Sequence, residues 1–369
     1  MKVTLLTANM QKKLSYVNHA VSLKTQLPIL LNLLVEAKDD KLKVAATDLE
    51  IAIETVLPAT IVEEGATTIP AKTITELISS LSDDMVTLTS ADTTLELVSK
   101  KTKSVFPTTA SEEFPKLYEE KGELIAEMEA EQLHKDLSSV VFAASTDTTR
   151  PALSGVLVRR EVDGFLLVAT DGFRLSLRHY KAHKATEGEE HLFIVPARVF
   201  KELLSLKEES ETIKLYVSES SKQILFEQGD TTLVGRLIEA TFPNYEKIIP
   251  TDFSVNVTFD REEMQKAVKI CSIFARDSAN IIKFSLKEDH IIVSSETSSV
   301  GENTVRVDAV LKGEENEIAF NAKYLIDLFA NVDVKEMQLE MVGPLNPGVF
   351  KIKDDPSYLH LIMPIRVQG

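Results

Sequence analysis

The chain has 369 residues, enough for two or three domains of roughly 100–200 residues each. Its hydrophobic fraction of 44% and charged fraction of 27% mark a folded globular protein rather than a disordered one. Forty-one Lys and Arg against 57 Asp and Glu leave a net charge of −16, which excludes a protein that holds nucleic acid mainly by charge.

The first residues, 1–7, carry too short an apolar stretch for a signal peptide, and the longest near-apolar run, residues 27–35, falls far short of the ~20 needed to span a bilayer. The expected location is the cytoplasm, with no membrane partner, and the sequon at Asn256 is read as chance. Met10, Leu14, Val17 and Val21 form one apolar helical stripe. The stripe returns 123 residues later as Leu133, Leu137, Val140 and Ala144, and again as Met264, Val268, Cys271 and Ala275. Pro28 and Pro151 follow the first two stripes at the same distance.

A second marker repeats with nearly the same period. Residues 69–81 open on Ile69-Pro70-Ala71-Lys72, residues 195–206 on Val195-Pro196-Ala197-Arg198, and residues 320–329 on Phe320-Asn321-Ala322-Lys323. Pro70 and Pro196 suit a helix's first turn, and Asn321 suits a cap. Phe114-Pro115-Lys116-Leu117 and Phe242-Pro243-Asn244-Tyr245 close two of the repeats. Between the helices, residues 49–53, 85–89, 254–259 and 337–341 alternate apolar and polar, as half-buried antiparallel strands do. The expected fold is α+β: three tandem repeats, each with two helices packed on antiparallel sheet. The boundaries fall at 1–122, 123–252 and 253–369.

Lys72, Arg198 and Lys323 recur in the first turn of the second helix, where a cation opposes the helix dipole and local stability does not ask for it. Lys12, Lys13, Lys135, Lys266 and Lys269 lie off the first-helix stripes. Either these cations line a basic concavity or they are solvated surface lysines. The single cysteine, Cys271, sits on a stripe and reads as a small packed hydrophobe rather than a nucleophile. A lone cysteine also excludes an intrachain disulfide and a thiolate zinc site.

Catalytic patterns are thin. No phosphate loop, dinucleotide fingerprint or nucleophile elbow occurs. His179 and His183, with His191 nearby, have a metal-compatible spacing but read as surface histidines. Asp147 and Asp171 are the one candidate carboxylate pair for a magnesium nuclease, set against plain turn chemistry. No cofactor or metal is expected.

Thr170-Asp171-Gly172-Phe173-Arg174-Leu175, Phe242-Pro243-Asn244-Tyr245, Leu27-Pro28-Ile29-Leu30 and Met363-Pro364-Ile365-Arg366, spread across three repeats, closely resemble the bacterial DNA polymerase III beta subunit family, the replicative sliding clamps. The resemblance implies a DNA-clamp fold and a non-catalytic processivity factor: a head-to-tail homodimer closing a ring around duplex DNA. It implies non-specific DNA contact by Lys24, Lys72 and Arg198, to which Lys12 and Lys323 are added from the repeat pattern. It places Phe106, Ile273 and Phe274 at the dimer junction. There the acidic cluster common in the family is sparse, with only Glu296 and Glu302 between residues 294 and 303. It also implies a peptide pocket formed by Leu153, Thr170, Gly172, Phe173, Arg174, Leu175, Pro243, Lys247, Ile248, Tyr324, Met363, Pro364, Ile365 and Arg366. Its occupants would be motifs of the DNA polymerase III catalytic subunit, the clamp loader and other proteins carrying clamp-binding peptides. The alternatives are that several of these residues are interdomain core, or that the protein is a peptide-binding hub that never encircles DNA. Phe173 stands where many family members carry histidine, and three residues follow Arg366.

Overall fold

The computed structural model describes residues 1–22, 24–182, 184–185, 191–276, 279–297 and 301–366. His183 and the tail after Arg366 lie outside the described residues. One pattern of elements runs through the chain three times. The first pass is β1 (Lys2–Leu6), α1 (Thr7–Val17), β2 (Asn32–Lys38), β3 (Lys41–Thr47), β4 (Ile51–Pro58), β5 (Thr60–Glu63), β6 (Gly65–Pro70), α2 (Ala71–Ser80), β7 (Met85–Ala91), β8 (Thr94–Val98) and β9 (Lys103–Pro107). The second is β10 (Glu123–Glu129), α3 (Ala130–Val141), β11 (Gly155–Glu161), β12 (Gly164–Thr170), β13 (Arg174–Lys181), β14 (Lys184–Ala185), β15 (Leu192–Pro196), α4 (Ala197–Ser205), β16 (Thr212–Ser218), β17 (Gln223–Gln228) and β18 (Thr231–Arg236). The third is β19 (Val255–Asp260), α5 (Arg261–Ala275), β20 (Ile281–Leu286), β21 (His290–Thr297), β22 (Gly301–Gly313), β23 (Asn316–Asn321), α6 (Ala322–Asn331), β24 (Glu336–Met341), β25 (Gly348–Ile352) and β26 (Asp355–Ile362).

The chain forms two compact units. The first holds a five-stranded sheet, β5-β1-β7-β8-β9, and a nine-stranded sheet, β14-β10-β16-β17-β18-β4-β3-β2-β6. The second holds a twelve-stranded sheet, β15-β11-β12-β13-β26-β25-β24-β19-β22-β21-β20-β23. Each of the two large sheets crosses from one repeat to the next at one antiparallel pair. β4 meets β18 with Ile53 opposite Leu233, and β13 meets β26 with Leu175 opposite Leu361. The strand edges that would otherwise be open are thereby covered.

The stripes are core. Met10, Leu14, Leu133, Leu137, Met264, Val268 and Cys271 are all buried. In the third repeat they meet β-strand and second-helix residues such as Phe259, Leu325, Phe329 and Phe350 in one cluster. Cys271 donates its thiol to the Val293 carbonyl, and burial pushes its pKa up to about 11, which suits the small-hydrophobe role. α6 is capped by Asn321, whose side chain accepts from the Lys323 amide, as expected. α5 is capped in the same way by Asp260.

Four local expectations change. α1 ends at Val17, and a 3-10 turn at Asn18–Ala20 tightens the chain so that Val21 is already extended. Ala144 is buried but lies beyond the end of α3. Pro70 and Pro196 close strands β6 and β15 rather than entering helices, because their pairing with Asn32 and Gly155 holds them extended and leaves them at the N-cap position. β4 starts at Ile51, since Leu49 and Glu50 belong to a turn.

Candidate functional site

That turn is the local device of the site, and it occurs twice. In the first repeat the Thr47 hydroxyl donates to the Ile51 carbonyl at 2.8 Å and accepts from the Leu49 amide. The Asp48 carboxylate accepts from the Glu50 and Ile51 amides, each at 3.0 Å. In the second, the Thr170 hydroxyl donates to the Arg174 carbonyl at 2.6 Å and accepts from the Gly172 amide. Asp171 accepts from the Phe173 and Arg174 amides at 2.8 and 3.0 Å. Both turns put their third residue at positive φ, +77° at Leu49 and +94° at Gly172. A Cβ built on Gly172 would meet nothing closer than 3.6 Å, so the glycine relieves backbone strain rather than making room. Each turn launches the strand that crosses to the next repeat. Thr47-Asp48 and Thr170-Asp171 are 123 residues apart, a signal the sequence held and only half of which entered the family motif.

Arg174 is locked rather than presented. It is buried, its Nε bonds Asp171 at 3.1 Å, its Nη1 bonds Asp327 at 2.7 Å, and its Nη2 donates to the Phe142 carbonyl at 2.9 Å. The guanidinium lies 4.8 Å from the centre of the Tyr324 ring and 5.5 Å from that of Phe142. Burial, followed by the Asp171 charge, raises the Tyr324 pKa. Thr170 and Leu175 are buried as well, and Leu175 belongs to an apolar cluster with Val168, Tyr245 and Leu361.

The exposed members of the proposed pocket have a different character. Phe173, Ile248 and Met363 leave 58%, 45% and 39% of their surface open. The Met363 amide donates to the Phe173 carbonyl at 2.8 Å, and the Ile365 amide to the Ala319 carbonyl at 2.8 Å, so the C-terminal segment is stitched to both the turn and β23. Ala152, Phe242 and Ile249 pack on the same cluster as Leu175, which anchors the chain beside Leu153, Pro243 and Ile248. Leu153, Pro364 and Ile365 are half-buried, whereas Pro243, Lys247 and Arg366 are exposed. Sequence reasoning missed Asp327 and Phe142, which hold Arg174 from 153 and 32 residues away and leave no local trace.

The repeated cations fall where expected, in the first turns of α2, α4 and α6. Lys72 and Lys323 are exposed, as is Lys24. Arg198 pairs with Asp48 and Glu50, Lys12 with Glu209 at 3.3 Å, and the largely buried Lys13 with the buried Glu208. Of the residues expected at a dimer junction, Phe106 is buried on the edge strand β9, Ile273 is exposed and Phe274 is half-buried on α5. His179 pairs with Glu161, and His191 stacks on Phe193. Asp147 is engaged by Thr149 and Arg150, and Asp171 by its own turn, which is turn chemistry in both cases. Among the described residues no group of three or more His, Cys, Asp and Glu is placed to hold a metal, and no helix is long and apolar enough to cross a membrane.

Comparison with known proteins gives the same order of parts. The model of the DNA polymerase III beta subunit N-terminal domain matches residues 1–118, that of the central domain 127–244, and that of the C-terminal domain 246–366. The chain belongs to the DNA polymerase III beta subunit family. It is 29% identical to the beta sliding clamp of Synechococcus elongatus over the whole of both chains, and 28% identical to that of Staphylococcus aureus over 94% of each. The crystal structure of the Bacillus subtilis DNA polymerase sliding clamp superposes with a TM-score of 0.94 at 26% identity, covering all of both chains. The three-domain sliding-clamp fold, α+β and mostly strand, is therefore that of this family.

Proposed function

We propose that this chain is a non-catalytic processivity factor: two copies join head to tail in a ring that encircles duplex DNA, slides on it, and tethers the replicative polymerase through a peptide pocket. The domains are proposed at 1–122, 123–252 and 253–369. The observation that carries the reading is the repeated strand junction. β4 pairs with β18, and β13 with β26, so each repeat offers the same strand to its successor. Residues 301–308 of β22, which pair with β21 but not with β19, hold that place in the third repeat, and β9 is the matching edge of the first. A second copy supplying β9 to β22 completes the series, and two such junctions close a symmetric dimer. Phe106 on β9 and Ile273 with Phe274 on α5 would lie at that junction.

A closed ring is retained by topology and needs little Coulomb attraction, which suits a chain of net charge −16 whose repeated cations sit at helix positions. Contact through Lys24, Lys72, Arg198, Lys12 and Lys323 would be to phosphates and carry no base reading. The apolar surface of Phe173, Ile248 and Met363 supports the pocket: a thioether and aromatic wall that adapts to hydrophobic peptide ends. Its partners would be the DNA polymerase III catalytic subunit, the clamp loader and other proteins with such peptides, in the cytoplasm. Loaded onto nicked circular DNA, the protein should co-elute with it and be released when the circle is linearised. Equal retention on circular and linear DNA would refute encirclement, and cleavage of DNA in magnesium that Asp171→Asn abolishes would favour a nuclease instead.

A further inference from the structure

Successive repeats also meet on the helix side, through the same two elements each time. The amide that opens the first helix donates to the carbonyl that ends the loop after the second helix: Thr7 to Asp84, Ala130 to Glu211 and Arg261 to Lys335, at 3.0, 2.8 and 2.9 Å. These bonds make loops 82–84, 207–211 and 333–335 equivalent. The apolar stripes make Lys12, Lys135 and Lys266 equivalent, and likewise Tyr16, Ser139 and Ile270.

At the first junction, α1 docks on the loop of the following repeat. Lys12 lies 3.3 Å from Glu209, Lys13 pairs with Glu208, and the Tyr16 hydroxyl donates to the Lys207 carbonyl at 2.9 Å. At the second, Lys135 and Ser139 of α3 line one cavity with Asp333 and Val334. At the first junction the helix brings the cation and the next loop the acid, whereas at the second Asp333 pairs with Arg261 of its own repeat. Tyr16 and Ser139 are each only 6% exposed. Ile270, their equivalent on α5, is 44% exposed and is flanked by Lys266 and Lys269. Loop 82–84 is the matching loop of the first repeat, with Asp84 exposed and Asp83 half-buried and bonded to the Ser99 hydroxyl and the Lys101 amide.

We infer that a second copy of this chain covers this face: Ile270 seats against loop 82–84 of that copy, and Lys266 and Lys269 pair with its acids, the equivalents of Asp83 and Asp84. The inference rests on the head-to-tail reading above and deepens it. It moves the charged part of the subunit junction away from the sparsely acidic 294–303 segment and reverses its usual sense, with the third repeat basic and the first acidic. Among the described residues Lys266 is held by Glu262, an exposed pair one helical turn away that exchange can release.

The test is a charge exchange read by sedimentation equilibrium at about 0.1 M salt, where charges within ~10 Å still interact. One variant carries Lys266→Glu with Lys269→Glu. The other carries Asp84→Lys with Asp83→Lys. Each alone should raise the dimer dissociation constant at least about tenfold, since both of its junctions bring like charges together. Mixed one to one, they should recover wild-type dimerisation as a heterodimer, because one junction is then charge-exchanged and the other is native. Asp83 also accepts from the Ser99 hydroxyl at 2.6 Å, so Asp84→Lys alone, on an exposed side chain, serves as the fold-neutral form. If every variant dimerises like the wild type, this inference fails and the strand junction stands. A wild-type protein that stays monomeric at micromolar concentration overturns the head-to-tail reading and the inference with it.

Discussion

Arg174 Nη1 lies 2.7 Å from Asp327 Oδ2, joining the first residue of β13 to the middle of α6 across 153 residues of sequence. The guanidinium is 7% exposed and also satisfies Asp171 and the Phe142 carbonyl. A buried cation with two acids and a carbonyl around it is a tie between the second and third repeats. Removing it strands two partly buried carboxylates. Arg174→Ala should therefore cost about 3–5 kcal/mol, read from the urea midpoint at unchanged slope. Arg174→Lys should fall between, because an ammonium cannot serve three partners in a planar fork. A loss below ~1 kcal/mol would reduce the tie to an ordinary surface pair.

His360 gives the same junction a pH dependence. Its ring is fully buried, Nδ1 is 2.6 Å from the Ser176 hydroxyl, Nε2 has no hydrogen-bond partner among the described residues, and Phe142 packs on it at 5.2 Å. Burial, and secondarily the Arg174 charge, hold its pKa well below 6.5. The unfolded chain therefore takes up this proton first as pH falls. The stability contribution is complete above about pH 6.5 and declines progressively below it, by up to about 1.4 kcal/mol per pH unit. His134, lowered by burial, acts in the same direction. Unfolding free energies at pH 7.5, 6.5 and 5.5 should fall in that order, and His360→Leu should flatten the decline whatever its stability at pH 7.5. An unchanged slope in that variant would show that the imidazole does not carry it.

The parts legible in the sequence are those written at helical or strand period. The three stripes, the second-helix marker, the Asn321 cap and the buried Cys271 all depend on spacing within one element, and the element order follows from their repetition. What stays hidden is long-range or conformational. Arg174 can be chosen as a pocket residue from the family motif, but its partners Asp327 and Phe142 come from other elements. The Arg178 pair with Asp136 and Asp355, 2.7 Å to each, is equally invisible. Leu49 reads as strand because its apolar side chain fits the alternation, whereas the Thr47-Asp48 hydrogen bonds bend the backbone to positive φ there.

Pairing within the chain ranks the candidate DNA contacts. Lys72 is exposed at the start of α2, whereas the charge of Arg198 is already offset by Asp48 and Glu50. Lys72→Ala should lower the slope of log affinity against log salt by about 0.9 for each phosphate that is no longer neutralised. Arg198→Ala should change it by less. Fluorescence anisotropy on a short duplex across a salt series reads both. Equal changes from the two would show that the acids release Arg198 when DNA arrives.

Met363 separates the proposed pocket from the core beneath it. Its side chain is 39% exposed while its amide is fixed to the Phe173 carbonyl, so Met363→Ala removes a flexible apolar wall without touching the backbone tie. A labelled clamp-binding peptide should bind the wild type with a micromolar constant, about −8 kcal/mol. The substitution should weaken it roughly tenfold, the worth of one well-packed side chain, with unfolding behaviour unchanged because the atoms removed are on the surface. Phe173→Ala should weaken it as well if the ring is the facing wall. Binding unaltered by both substitutions would place the peptide elsewhere on the molecule and leave this patch as the outer skin of the Leu175 cluster.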